Sequence, residues 1–509
     1  MTNQVETKES TAVTTQHATQ EDTQIAQTLT KQLTNQEKDA ALDYAKYLTK
    51  TINKDAALEI IGRTFNNQEE TYRQIKQYVN QITEDQMKRE SNLSMMNGLQ
   101  QQMNAAQFSI NTKGSNKDIE AIYLNNKNQL DKFKIQFDKN FGDNGICESV
   151  KNKLAEIVNC VANEFQPKVP EGKDDKDNVL FKGLNCFSAS EKYDGPEIRE
   201  FDFKPLSHDE IGVRLGMMNF EAAAEICGSR FTILLDDLCK LERALAAYML
   251  DVANNAGFME VTCPSLVKPS ALFGTGQLPK FGDDIFRIAD DDNCKALVPT
   301  SEVTLTNLFA NKHWQEAELP VKMVSYSQCF RKEAGSAGRD TKGMFRQHQF
   351  GKVELVVGTV PTLESSENAH MMMLKTVETV LKGLELPYRI TTLCKGDTGF
   401  GSSLTYDFEV WVPSRGEYKE ISSVSNCLNF QARRMKARFK AKDKASPIRK
   451  EKYIHTLNGS CVAIGRAIVA VLENHQNEDG SVTVPAVLRG YMGGLEVIKP
   501  NGKEKMFKR

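Results

Sequence analysis

Three separated stretches of this 509-residue chain carry side chains suited to holding a polyphosphate. The first, FRKEAGSAGRDTKGMFRQHQF at 330–350, sets Arg331, Lys332, Arg339, Lys342 and Arg346 among glycines, with Glu333 and Asp340 as its only acids, and closes on Phe350. So many cations are not buried without anionic partners, so the segment is either a solvated loop or the cradle of an anion. The planar fork of arginine matches phosphate oxygens, and Arg331 and Arg346 bracket a glycine-containing loop long enough to fold over a ligand. Arg346 and Phe350 are four apart, a spacing that on a strand turns guanidinium and ring to one face.

The second stretch, KEISSVSN at 419–426, supplies an acid followed by two hydroxyls, a set able to ligate Mg²⁺ through oxygen. The third, LNGSCVAIGRAIVAVLENH at 457–475, runs from a polar turn into an apolar helix bearing a lone Arg466. Such an arginine is either paired with an acid or aimed at a ligand. Taken singly, each stretch has a plainer reading: a solvated loop, a helix N-cap for Ser422 or Ser460, a surface charge for Arg466. Their co-occurrence favours a site.

The elements that must position these residues follow from the pattern around them. After residue 200 the runs FTILL, VKMVSY, KVELVV, YRITTL and YDFEVWV read as strands, mixed with helices but without regular alternation. This predicts an α+β domain over 201–509 with an antiparallel core rather than a doubly wound parallel sheet. Residues 1–50 are dominated by Gln, Thr, Asn, Lys and Glu. That composition predicts a polar extension, disordered or weakly helical over at least 1–36.

From 51 to 168 the pattern is helical. Tyr72, Ile75, Val79 and Ile82 form one seam, the stretch NTKGSNKD (111–118) breaks the helix, and Leu130, Phe133 and Phe137 form a second stripe. GDNG (142–145) interrupts again before Val150, Leu154, Ile157 and Val161. An antiparallel helical hairpin and a compact bundle fit this periodicity equally well. Pro167, Pro170 and EGKDDKDN lead into a linker over 169–200, and FKGLNCFSASEKYDG (181–195) reads as a small insertion.

Lys+Arg 65 against Asp+Glu 67 leaves the chain near neutral, so any nucleic-acid contact must come from a local patch. The 11 cysteines include no CxxC pair, which argues against a structural zinc and a disulfide scaffold. No apolar run approaches the roughly 18 residues that span a bilayer, and the N-terminus resembles neither a secretory signal nor an Arg-rich leader. A cytoplasmic protein without a membrane segment is expected.

Together FRKEAGSAGRDTKGMFRQHQFGKVELV, VPTSEVTLTN, FGTGQLPKF, KEISSVSNCLNFQARRM and HTLNGSCVAIGRAIVAVLENHQNEDGSVTVPAVLRGYMGG resemble, in order, the seryl-tRNA synthetases, a class II aminoacyl-tRNA synthetase family. The resemblance runs from about residue 166 to the end. It implies a catalytic domain on a mixed, mostly antiparallel sheet flanked by helices, preceded by a coiled-coil arm that grips tRNA(Ser). Residues 66–116 are rich in Gln and Asn where such arms are commonly rich in Lys, Arg and Glu.

The resemblance also implies roles. Arg331 would hold the α-phosphate of ATP and the amino-acid carboxylate, Glu333 would read the adenine amino group, and Phe350 would stack on the ring. Arg346 would contact the outer phosphates and Arg466 the γ-phosphate, with Lys332, Ile421 and Ser422 also on the ATP side. Glu420 and Ser423 match the positions that hold Mg²⁺. The serine pocket would comprise Thr300, Ser301, Glu302, Arg331, Glu354, Asn458 and Ser460, with Thr456 nearby. LERALAAYMLDVANNAGF and MEVTCP would form the dimerisation element of a homodimer. The implied activity is serine–tRNA ligation, with the selenocysteine tRNA as a further family substrate. The alternatives are a catalytically silent, tRNA-binding or regulatory paralogue, and a ligase that charges a carrier protein. Relatives of the latter kind lack the arm and use a metal-bound pocket with cysteine.

Overall fold

The computed structural model describes residues 35–113, 117–141, 146–184, 192–289, 294–334, 342–443 and 445–500. It opens with helix α1 (Asn35–Lys46), inside the stretch expected to be a disordered extension up to residue 50. The reason is a stripe that the polar composition conceals. Ala41, Tyr44, Ala45 and Leu48 recur at i, i+3, i+4 and i+7, and all are buried. Residues 1–34, the remainder of that expected extension, lie outside the described residues.

Helix α2 (Lys54–Gly62) follows, its N-cap Asn53 accepting from Ala56 N at 2.8 Å. Helix α3 (Gln68–Lys113) is then roughly 70 Å long at 1.5 Å per residue. Helix α4 (Lys117–Phe141) returns beside it and α5 (Ile146–Val158) packs at its foot. The Tyr72, Ile75, Val79 and Ile82 seam is buried in one cluster with Leu48 of the N-terminal helices and Leu154 and Val158 of α5. Higher up α3 and α4 pair with each other, burying Met103, Ala106 and Leu130, and Asn126 donates to Gln102 at 3.2 Å. Hairpin and bundle are therefore both present, at different heights. The break expected at 111–118 coincides with the junction of α3 and α4, while GDNG lies outside the described residues, between α4 and α5.

Eight strands form the main sheet: β1 (Val179–Lys182), β2 (Met259–Glu260), β3 (Val321–Phe330), β4 (Gln349–Thr359), β5 (Tyr388–Thr392), β6 (Leu404–Val412), β7 (Glu417–Asn426) and β8 (His455–Ala463). Their order is β1-β5-β6-β7-β8-β4-β3-β2, antiparallel except for the β2–β3 pair. Strand β1 comes from the stretch expected to be linker, so 169–200 contributes an edge of the sheet. Of the expected strands, FTILL yields only Ile233–Leu234, paired with Met218–Asn219 outside this sheet. The insertion at 181–195 is described only at its two ends.

Helices α6 (His208–Arg214), α7 (Asp237–Asn255), α8 (Ser301–Asn307), α9 (Leu363–Gly383), α10 (Phe430–Met435) and α11 (Ile464–Asn474) surround the sheet. Leu245 of α7, Val377 of α9 and Ile468 of α11 share a core with Val353, Leu355 and Val357 of β4. Side chains alternate across a strand, so Phe350, Lys352 and Glu354 face the other side. That side holds the cleft described below.

The helical base is seated on the domain that carries the main sheet. Arg63 donates to the Gly399 and Ser402 carbonyls at 3.2 and 3.4 Å, and Tyr453 donates to Asp43 at 3.2 Å. The Arg433 guanidinium lies 3.8 Å from the Tyr44 ring centre. Among the described residues no helix is long and apolar enough to cross a membrane.

Candidate active site

Arg331 emerges from the end of β3, where Phe330 pairs with Gln349 at the start of β4. Its backbone N donates to His348 O at 2.9 Å and its Nε to Pro299 O at 3.2 Å, which leaves the guanidinium 5.2 Å from the Phe350 ring centre. Glu333 takes φ +54°, a conformation that non-glycine residues rarely adopt, and its carboxylate accepts from Arg346 Nη1 at 3.2 Å. Arg339 and Asp340 lie outside the described residues.

Arg346 precedes β4, which begins at Gln349, so the argument that Arg346 and Phe350 share a strand face does not hold. The two reach the cleft from different elements. The shared face instead belongs to Phe350, Lys352 and Glu354, all of which line the cleft. That alternation was readable in the sequence and would have found Lys352.

Glu420 and Ser423 are three apart on β7, a spacing that would point them to opposite faces of a regular strand. A bulge corrects this. Ser422 pairs with Phe408 but Glu420 pairs with Glu409, which leaves Ile421 as the extra residue. Because Ser423 pairs with Asp407, and 407 and 409 share a face, Glu420 and Ser423 do too. Arg466, in the first turn of α11, closes the cleft from the far side. Its Nη1 lies 2.8 Å from Glu420 O and 3.2 Å from Glu420 Oε2, and its Nε lies 3.5 Å from Phe345 O. The Arg466 guanidinium, with help from Arg331 and Arg346, holds the Glu420 carboxyl below the usual range.

The other carboxylates form a tighter network. Thr300 caps α8, accepting from Glu302 N at 3.3 Å, and its hydroxyl also accepts from Lys352 Nζ at 2.8 Å. Lys352 Nζ sits 2.5 Å from Glu354 Oε2, both side chains being buried. Gln431 Nε2 donates to Glu302 at 2.6 Å, and its Oε1 accepts from Thr456 Oγ1 at 2.8 Å. Ser460 Oγ donates to Glu354 at 3.5 Å, and Asn458 Nδ2 lies 3.4 Å from Cys427 Sγ. Burial and the neighbouring Glu354 push the Glu302 carboxyl up to about 7, against the pull of Lys352.

These groups surround one cavity of about 260 Å³. Of the residues expected there, Thr300, Glu302, Arg331, Glu333, Arg346, Phe350, Glu354, Glu420, Ile421, Ser422, Ser423, Asn458, Ser460 and Arg466 line it. Lys332 and Ser301 do not. Lys332 is held through its backbone by Asp284 O, and the Ser301 hydroxyl is buried against Ser327. Besides Lys352, Gln277 and Gln347 of the lining and Gln431 behind Glu302 were not among the expected residues. A larger groove of about 770 Å³ lies between α2 and the sheet domain, but it holds none of the expected residues and mixes Asp55 and Glu59 with Arg63, Lys280 and Lys395.

The set Glu420, Ser423 and Asp407 suits a hard cation that prefers oxygen ligands. Asp407 Oδ1 is, in addition, buried without a hydrogen-bond partner among the described residues. No cluster of three or more His, Cys, Asp or Glu able to hold a metal by itself occurs among them.

Residues 286–475 match the family described as tRNA synthetase class II core domain (G, H, P, S and T). The chain is 49% identical over 351 residues to the serine–tRNA ligase of Ehrlichia ruminantium (strain Welgevonden), an alignment covering 69% of this chain and 78% of that one. It is 51% identical over 353 residues to the serine–tRNA ligase of Wolbachia pipientis subsp. Culex pipiens (strain wPip), with the same coverage of 69% and 78%. Among solved structures it is similar to the seryl-tRNA synthetase from Pyrococcus horikoshii complexed with ATP. There the TM-score is 0.68 at 31% identity, covering 89% of this chain and 99% of that one.

Proposed function

The chain belongs to the seryl-tRNA synthetase family of class II ligases, activating L-serine with ATP and transferring it to tRNA(Ser), and we propose that its cleft does so as follows. The adenine ring stacks on Phe350 and its amino group is read by Glu333. Arg331 bridges the α-phosphate and the serine carboxylate, Arg346 takes the outer phosphates, and Arg466 takes the γ-phosphate from the α11 side. The ammonium of serine lies against Glu354 and Glu302, and its hydroxyl is held by the polar groups around Thr300, Asn458 and Ser460.

The serine carboxylate is already ionised at neutral pH, so it attacks the α-phosphorus without a general base. Catalysis then consists of holding the two reactants in line and offsetting charge on the transferring group and the departing pyrophosphate, which the three arginines are placed to do. Glu420 and Ser423 would hold Mg²⁺, with Asp407 behind them; when bound, that ion neutralises part of the polyphosphate charge. In the second step the 3′-hydroxyl of the terminal adenosine attacks the activated carbonyl of seryl-adenylate, the mixed-anhydride bond breaks, and AMP leaves with the hydroxyl proton lost to solvent.

The observation that carries this reading is the convergence of Arg331, Arg346 and Arg466, from three separate elements, on a cavity that also holds Glu302 and Glu354. A solvated basic loop would not gather them. The α3–α4 hairpin supports tRNA as the acceptor, because carrier-protein ligases of related type lack such an arm. Strand β2 ends the sheet with Met259 exposed beside α7, which supports pairing of two subunits through this edge as a homodimer. Serine-dependent exchange of labelled pyrophosphate into ATP tests the first step, and charging of tRNA(Ser) tests the second.

A further inference from the structure

One buried histidine outside the reacting centre is joined to both halves of the phosphate site. His208 opens α6 and Glu473 stands near the end of α11, and their exposures are 2% and 0%. Glu473 Oε1 lies 2.9 Å from both His208 N and His208 Nδ1. An ionised carboxylate can only accept, so Nδ1 carries the proton and Nε2 presents a lone pair. Met344 N donates to that Nε2 at 3.0 Å.

Met344 stands two residues before Arg346. Between them Phe345 packs edge-on to the imidazole at 5.3 Å, and its carbonyl faces Arg466 Nε at 3.5 Å. Gly343, at φ +75°, lies so close that an added Cβ would sit 2.0 Å from His208 Nε2. Lys342 adds an ion pair to Asp209, the next residue of α6, at 3.0 Å. Glu473 follows Arg466 by seven residues, so the two share a face of α11 about two turns apart. Glu473 Oε2 also accepts from Ser414 N at 3.1 Å, in the turn joining β6 and β7.

We propose that His208 is a positioning residue for adenylate formation. Held in one tautomer by Glu473, it fixes Met344 and thereby sets the reach of Arg346 relative to Arg466. The inference rests on Arg346 contacting phosphate. What distinguishes it from simple core packing is the polarity of the chain: a backbone N–H beside Arg346 is satisfied by a remote side chain, whose other nitrogen is anchored on the helix of Arg466.

The test is serine-dependent pyrophosphate exchange by the full chain carrying His208→Phe, which keeps a ring but removes both nitrogens. The expected result is a fall in kcat of at least tenfold with the serine KM within twofold of the parent. His208→Gln, which retains a donor and an acceptor, should recover most of the loss. On an Arg346→Ala background, His208→Phe should cost less than a further twofold, since it acts through that arginine. A parental kcat in His208→Phe, a serine KM that rises in step, or full additivity with Arg346→Ala overturns the proposal. If His208→Phe does not fold, the near-isosteric Glu473→Gln decides: kcat down at least threefold at unchanged serine KM supports the proposal, and a parental kcat overturns it. Failure of all three variants to fold also overturns it, because the pair would then serve folding. Near-parental exchange by Arg346→Ala alone would show instead that the phosphate reading is what fails.

Discussion

Arg466 holds Glu420 twice, through the backbone carbonyl at 2.8 Å and the carboxylate at 3.2 Å, so the arginine proposed for the γ-phosphate and the acid proposed for the cation begin as partners. Binding of ATP with Mg²⁺ would replace this pair by two new ones of the same sign. Glu420→Ala should therefore raise the free Mg²⁺ needed for half-maximal pyrophosphate exchange by at least about tenfold, the loss of one charge-assisted contact. A titration of exchange rate against free Mg²⁺ checks this. An unchanged midpoint would remove Glu420 from the cation site.

Serine capture should depend on pH through Glu302. Its carboxyl is pushed up to about 7 by burial beside Glu354, so it is ionised above that pH and progressively neutral below it. The ammonium of serine favours the ionised form. kcat/KM for serine reports the free enzyme, so it should rise through about pH 7 and approach a tenfold fall per pH unit on the acid side. In Glu302→Gln the rise near 7 should disappear. A profile in which the variant keeps the same inflection assigns the titration to another group.

How far these residues could be found without a structure depends on the distance over which their partners lie. The strands β3, β4, β5 and β6 were legible as β-branched and aromatic runs, and the Tyr72 to Ile82 seam from its 3.6-residue period. The α1 stripe was not, because four buried residues are lost in a Gln- and Thr-rich average. Glu420 and Ser423 were recognisable as ligand types, but their common face depends on a bulge at Ile421 that no periodicity shows. The links from Lys352 to Thr300 and from Gln431 to Glu302 join residues 52 and 129 positions apart, which only tertiary packing brings together. The roles proposed for the arginines came from family resemblance; what the fold adds is that they converge.

Lys352 offsets two buried carboxylates, being 2.5 Å from Glu354 and close enough to Glu302 to lower its pKa. Lys352→Met should cost about 3 kcal/mol or more at pH 8, as expected when one partner of a buried pair is removed. Without the lysine the Glu302 carboxyl is pushed further up in the folded state, so the loss is present above its folded pKa. Stability should return as the pH falls and Glu302 takes a proton. Thermal unfolding between pH 5.5 and 8 checks the sign. A loss that is constant across this range would mean that packing, not charge, is what the lysine supplies.

The arm and the cleft should separate cleanly. Gln102 and Asn126 face each other across the hairpin, so removing residues 96–132 cuts α3 and α4 at about the same height and spares the buried base. That deletion should leave serine-dependent exchange within about twofold, since surface changes far from a site rarely cost more than about 0.5 kcal/mol. Charging of tRNA(Ser) should fall by at least about 100-fold, the loss of a small set of phosphate contacts. Equal loss of both activities would show that the hairpin supports the catalytic fold.

That the cleft makes seryl-adenylate can be read from pyrophosphate exchange across a panel of amino acids. With ATP and Mg²⁺, serine should support exchange, and alanine should do so about four orders of magnitude less well, because a pocket built around a hydroxyl is left with unpaired polar groups. Arg331→Ala should abolish the serine signal. No exchange with serine, or exchange as fast with an amino acid lacking the hydroxyl, would mean that the cleft does not select and activate serine.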